Sequence, residues 1–217
     1  MVAFAAIAYT EGTSFASEAA LVVPAELGIN VLFLFVFGLL VRRSMVIAFI
    51  GTFAVWTVLS LVLVFGQIDN IFFSLMIYVI CAVISFGILE KKMKVPSMGK
   101  VVIHYTLRKM VFRGVLAGVV IALAVVLSQV GSVISGIFSV FPAILSSTML
   151  ISVREHGPDF AAGMAKTMML GLSSVATYAT VIHILYPVYG VVVGSAVAYL
   201  ISFCVTLCIF FIRKNIL

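Results

Sequence analysis

Residues 90–109 read EKKMKVPSMGKVVIHYTLRK, and this stretch decides how the rest of the chain is laid out. It holds six basic residues and one acidic residue, and it is the one long break in an otherwise apolar sequence. The whole chain is 217 residues, 65% hydrophobic and 9% charged, with a mean hydropathy of +1.35. A soluble domain carries about 25% charged residues, so this composition points to a membrane. A helix needs about 20 mostly apolar residues to span a bilayer. Working outward from 90–109, such stretches cover 20–41, 45–66 and 71–89 on one side. On the other they cover 110–130, 132–152, 160–185 and 188–212. The other breaks are short enough to join antiparallel neighbours as tight hairpins.

The basic residues then fall on one face. Arg42 and Arg43 lie in the first connection. Lys91, Lys92, Lys94, Lys100, Arg108, Lys109 and Arg113 lie in or beside the third. Arg154 and Lys166 flank the fifth, and Arg213 and Lys214 follow the last span. The opposite face carries Glu11, Glu18, Glu26 and Asp69 and no basic residue. Basic loops stay cytoplasmic, which predicts a multi-pass protein of the plasma (inner) membrane, amino terminus outside and carboxyl terminus in the cytoplasm. The sequence pI of about 9.4 is therefore a topology signal, and nucleic acid is not an expected partner. Lys91, Lys92, Lys94, Lys100, Arg108 and Lys109 suit anionic lipid headgroups, at about 1 kcal/mol for each basic residue near the surface. A plain topology anchor is the simpler reading.

The expected fold is all-α: a polytopic bundle of seven transmembrane helices. Its parts are an outer-surface segment 1–19, a three-helix unit 20–89, a cytoplasmic polybasic loop 90–109 and a four-helix unit 110–217. Residues 2–9 are apolar but too short to span, and no basic region precedes them as in a signal peptide. A short outer-surface helix or a degenerate span against the bundle is expected there. An internal echo joins the two units. Val23-Pro24-Ala25-Glu26-Leu27 matches Phe141-Pro142-Ala143-Ile144-Leu145. Ala82-Val83-Ile84-Ser85-Phe86 matches the end of Ala198-Tyr199-Leu200-Ile201-Ser202-Phe203. Two parallel three-helix repeats joined by one linker helix would produce this pattern, and parallel repeats are a known transporter plan.

Residues from about 110 to 214 also resemble the GlpM-like family of small bacterial inner-membrane proteins. The matching stretches are Gly114-Val115-Leu116-Ala117-Gly118, Val126-Leu127-Ser128, the run from Ile134 through Phe141-Pro142, and Glu155-His156-Gly157. The resemblance implies a four-helix unit, and this chain adds three spans before it. Those spans would replace a second copy that shorter relatives obtain by dimerising. Beside the bilayer itself, a second copy of the chain stays open as a partner.

Polar groups inside the spans are the candidate site. Pro142 removes a backbone hydrogen bond and should kink the fifth span. At about 100° per residue, Ser135, Ser139, Pro142 and Ser146 share one face. They form either a hydroxyl-lined wall or a helix-packing surface. Ser173 and Thr177 run along the sixth span with Lys166, which is either functional or snorkelling to the headgroups, the expected outcome. Glu26 lies about 24 Å from Arg42 along a helix, with Asn30 one turn further in. A carboxylate at that depth must be neutralised, paired or wet, unless the span starts at Leu27 and Glu26 is an interfacial cap. Gly114/Gly118 and Gly190/Gly194 read as close-packing pairs.

No HExxH, GxSxG or P-loop occurs, and Cys81, Cys204 and Cys208 form no disulfide framework. Glu155, His156 and Asp159 form an ordinary charged hairpin. No enzyme, catalytic residue, metal site or cofactor is expected. The reading is a small-solute transporter or permease whose substrate path uses Glu26, Asn30, Ser135, Ser139, Pro142, Ser146, Ser173 and Thr177. The alternative is a structural or accessory membrane protein that binds a partner or anionic lipid. A cavity shared by Ser135, Ser139, Ser146 and Thr177 would favour transport, and dry packing of those faces the alternative.

Overall fold

A computed structural model describes residues 2–66, 68–93, 95 and 106–216, all helical apart from their connections. The helices are α1 (Val2–Glu11), α2 (Thr13–Leu21), α3 (Val23–Leu40), α4 (Met45–Phe65), α5 (Ile71–Gly87), α6 (Leu107–Val126), α7 (Ser132–Ser139), α8 (Ala143–His156) and α9 (Pro158–Ile216). A five-residue π-helix, Ile88–Lys92, extends α5, and a short 3₁₀ turn, Leu127–Gln129, extends α6. Among the described residues, six helical segments are long and apolar enough to cross a membrane. Large apolar side chains on α4, α5, α6 and the end of α9 are uncovered, Phe72 at 78% and Phe203 at 63% exposure among them. Such surfaces suit lipid rather than water, and the architecture is that of a multi-pass membrane bundle.

The last of the six segments folds back on itself. Inside α9, Gly190 has φ 73° and ψ −178°, a conformation open essentially to glycine alone. The rings of Tyr178 and Tyr199 lie 5.0 Å apart, although 21 helical residues would separate them by about 31 Å. α9 is thus a hairpin of two antiparallel arms. Its turn is at Gly190, three residues beyond the expected break at Pro187, because proline fits within a turn of helix while glycine permits the reversal.

α3 is the central helix. It packs against α4, α5 and α9, and most of its residues are buried. Pro24 occupies its first turn, where a missing N–H costs nothing. Its opening N–H groups are met in part by Ser74 of α5, whose hydroxyl accepts from the Ala25 amide at 2.9 Å. At Gly28 the helix passes close enough to α5 that a Cβ would sit 3.2 Å from the Tyr78 Cα.

The amino-terminal segment packs one side into the bundle. Phe4, Ile7, Ala16 and Ala19 are fully buried, and α2 packs on α7 and α9. α1 carries enough apolar side chains to join the core, though it is too short to span. The first predicted span is likewise divided at Val22, between α2 and α3. The fifth is broken rather than kinked: α7 ends at Ser139, and α8 starts after Pro142. Both halves of the chain therefore run helix, positive-φ glycine (Gly12 or Gly131), short helix, break and proline-led helix.

Three ion pairs gather where the basic loops meet: Arg42 with Asp159 at 2.7 Å, Lys166 with Glu90 at 2.7 Å, and Lys109 with Glu155. His156 stacks on Phe160, with centroids 4.3 Å apart. Lys91 and Arg108 are exposed. Lys94 and Lys100, and the side chain of Lys92, lie outside the described residues.

Candidate functional site

The break between α7 and α8 frees backbone groups in the interior, where each needs a partner. Phe141 donates its N–H to the Phe138 carbonyl at 3.1 Å, and Ala143 donates to the Phe141 carbonyl at 2.8 Å. The carbonyl of Val140 is met from α3: Asn30 Nδ2 donates to it at 2.8 Å. This acceptor fixes the orientation of the amide. Asn30 Oδ1 is then left buried and without a hydrogen-bond partner, in a residue only 1% exposed.

One turn before Asn30 lies Glu26, with no exposed surface. It lies in the first turn of α3, which begins at Val23, and residues before it pack inside. The Ser60 hydroxyl of α4 donates to its carboxyl oxygens, 3.0 and 3.1 Å away. Trp56, one turn from Ser60, carries a buried indole N–H that lies toward the Glu26 carboxyl without completing a hydrogen bond. Its ring contacts Phe141 edge-on, centroids 4.9 Å apart, and Phe138 at 6.3 Å. Glu26, Asn30, Ser60 and Trp56 thus form a buried polar patch behind the helix break.

A cavity of about 410 Å³ opens at this break. Its walls include Leu27 and Asn30 of α3, Ser139 and Phe141 at the break, and Leu145 of α8. Val2 and Ala3 of α1 face it, as do Val120 and Ile121 of α6. Pro24 to Pro142 is a step of 118 positions, and the same step relates Val2 to Val120, Ala3 to Ile121 and Leu27 to Leu145. Three pairs of lining residues are thus separated by the same step as the two prolines. A second cavity of about 290 Å³ shares Phe141 and Ala143 with the first and adds Phe112, Leu116 and Ser146.

The hydroxyl stripe of the fifth span does not survive the break, because a 100° step holds only within one continuous helix. Ser139 lines the first cavity and Ser146 the second, while each donates to its own helix, to Gly136 and Pro142 respectively. Pro142 precedes α8 as its cap. Ser135 is fully buried and donates to the Ala124 carbonyl, tying α7 to α6. Ser173 lines a third cavity of about 190 Å³ beside Tyr78, and Thr177 donates to the Ser173 carbonyl. Of Ser135, Ser139, Ser146 and Thr177, no two line the same one of these three cavities.

Lys166 does not snorkel. It is 1% exposed, and its ammonium donates to Glu90 at 2.7 Å and to the Val95 carbonyl at 2.6 Å. Of the glycine pairs, Gly194 packs against Tyr186, whereas Gly114 and Gly118 face open space. Two groupings had no local signal. Ser17 donates to the His183 carbonyl at 2.6 Å, and His183 Nδ1 meets the Ser17 carbonyl at 2.8 Å, clamping α2 to α9. Tyr178, Tyr186 and Ser195 close a ring of hydroxyls across the α9 hairpin. No group of three or more metal-ligating side chains occurs among the described residues. No protein-family model matches the chain, and neither a curated protein nor a solved structure matches it.

Proposed function

We propose that the chain is a small-solute permease made of two parallel units, and that its solute crosses between them. The carrying observation is the cavity of about 410 Å³ walled by Val2 with Val120, Ala3 with Ile121 and Leu27 with Leu145. Ligand sites commonly sit at such junctions between related halves. The units are α1–α5 and α6–α9, so that α6 is the counterpart of α1 rather than a linker. With the α9 hairpin counted as two crossings, the bundle spans seven times, α1 remaining a partial span. The basic end is cytoplasmic. The second unit is GlpM-like, and the first supplies within one chain what a dimer would supply. Glu26 serves as a proton or cation site beside the path.

The accessory reading has its own support: the hydroxyls of Ser135, Ser139, Ser146 and Thr177, whose gathering would favour transport, line no shared cavity among the three described. Ser139, Ser146, Ser173 and Thr177 all donate to carbonyls of their own helices, as packing hydroxyls do. In that reading the basic end holds anionic lipid or a partner.

Single cysteines at Leu27, Val120 and Leu145, in a protein whose three natural cysteines are replaced, separate the two. A membrane-impermeant thiol reagent that reaches these positions from one side supports a path. Cysteines silent from both sides and silent also to a small bilayer-soluble maleimide, with a control at Arg108 labelled, support the accessory reading.

A further inference from the structure

We propose that the cavity at the α7–α8 break binds a neutral amphiphile, an apolar body carrying one hydrogen-bond donor, and that Asn30 Oδ1 accepts that donor. Asn30 and Ser139 are the polar side chains in the cavity wall, and the remaining lining is aliphatic apart from Phe141. Ser139 has already given its proton to the Gly136 carbonyl at 2.6 Å. Asn30 has given an N–H to Val140, which leaves Oδ1 as a buried acceptor without a partner. Such an orphan acceptor carries an uncompensated desolvation cost, which a ligand donor recovers.

The lining discriminates among ligand classes. Among the described residues no charged side chain reaches the cavity wall, so an ion would be desolvated without compensation. Asn30 and Ser139 are set in an otherwise apolar lining, which an apolar body fills better than water does. An alcohol, or a primary amide of similar build, satisfies Asn30 and leaves its alkyl part against Leu27, Ile121, Leu145 and Leu172.

The entry is lateral. Ala124 is the buried residue of α6, and the rest of that helix is lightly covered. An amphiphile already dissolved in the bilayer reaches the cavity between α6 and α8 without crossing water. Phe141 then divides this cavity from the second one, nearer the start of α6. Trp56 leans on Phe141 and holds it in place. The inference names the substrate class of the proposed permease and rests on that reading for its purpose, while its test reads occupancy alone.

Trp56 is the single tryptophan of the chain, and its ring touches one wall of the cavity through Phe141. The full-length protein in phosphatidylcholine vesicles is titrated with a bromoalkanol and with the bromoalkane of equal length, reading Trp56 quenching. The expected result is saturable quenching by the alkanol, with an apparent Kd roughly tenfold tighter than for the alkane. Asn30→Leu should bring the alkanol to the alkane value. Because Asn30 also caps Val140, Ala117→Phe provides a second variant that fills the cavity from the lightly packed α6 and should abolish saturation. Quenching that rises linearly with bilayer concentration, or is unchanged in Ala117→Phe, overturns the proposal, as does equal affinity for the two compounds. None of these outcomes depends on transport, so a silent transport assay leaves the binding result legible.

Discussion

Gly136 of α7 lies so close to α2 that a Cβ in its place would come within 2.2 Å of the Ala19 carbonyl oxygen. The obstacle is backbone, which cannot rotate aside, and Val22 Cγ1 stands 2.7 Å away on the same side. The two short helices are thus sealed against each other at the end of the bundle beyond the cavity. Gly136→Ala should destabilise the protein by about 1–3 kcal/mol, the range for overpacking a dense contact. Gly118→Ala, where a Cβ meets nothing within 4 Å, is the control and should be neutral or slightly stabilising. Unfolding midpoints in one detergent check both.

Glu26 is buried with one hydroxyl partner, Ser60. A group in that position contributes little stability, because its desolvation offsets what the hydrogen bond returns. Glu26→Gln should therefore leave the unfolding free energy within about 1 kcal/mol of the parent or raise it. In vesicles with an imposed proton gradient, the same variant should lose proton-linked solute movement. Intact proton-linked movement would remove Glu26 from the mechanism.

Lys166 and Glu90 join α9 to the π-helical end of α5. The lysine is buried, so its attraction for Glu90 is poorly screened by salt. A double-mutant cycle with Lys166→Met and Glu90→Gln should show a coupling of about 1–3 kcal/mol. The coupling should change little between low and high salt. For the more exposed Arg42 and Asp159, the same cycle should give at most about 1 kcal/mol and fade in salt.

The reversal within α9 depends on Gly190. Alanine there must adopt a conformation that costs about 1–3 kcal/mol. Gly190→Ala should lower the unfolding midpoint accordingly, whereas Gly171→Ala, within the first arm and facing open space, should not. The variant should also weaken the Tyr178–Tyr199 contact, which is readable by cross-linking cysteines placed at the two positions.

The sequence by itself determined that the chain is a bundle of apolar helices and where most of its polar breaks fall. That much is local, because a helix in lipid must satisfy its own backbone and present apolar side chains for about 20 residues. It also singled out Glu26, Asn30 and Pro142, because polar and helix-breaking residues are costly in such segments. The likeness of Val23–Leu27 to Phe141–Leu145 was legible as well, and in the fold each stretch holds its proline at the start of a helix.

Only the tertiary structure decided what those residues meet. Asn30 caps a carbonyl 110 positions away, and Lys166 pairs with a glutamate 76 positions away. Neither partner lies on the same helix, so no periodicity announces it. The break at Val140–Pro142 was misjudged as a kink for the same reason. A proline shows that one hydrogen bond is lost, but whether the helix bends or parts depends on whether another element can satisfy the carbonyls it frees. Here α3 does so through Asn30. The burial of α1 and α2 follows the same logic: a segment too short to span can still be core when neighbouring helices enclose it.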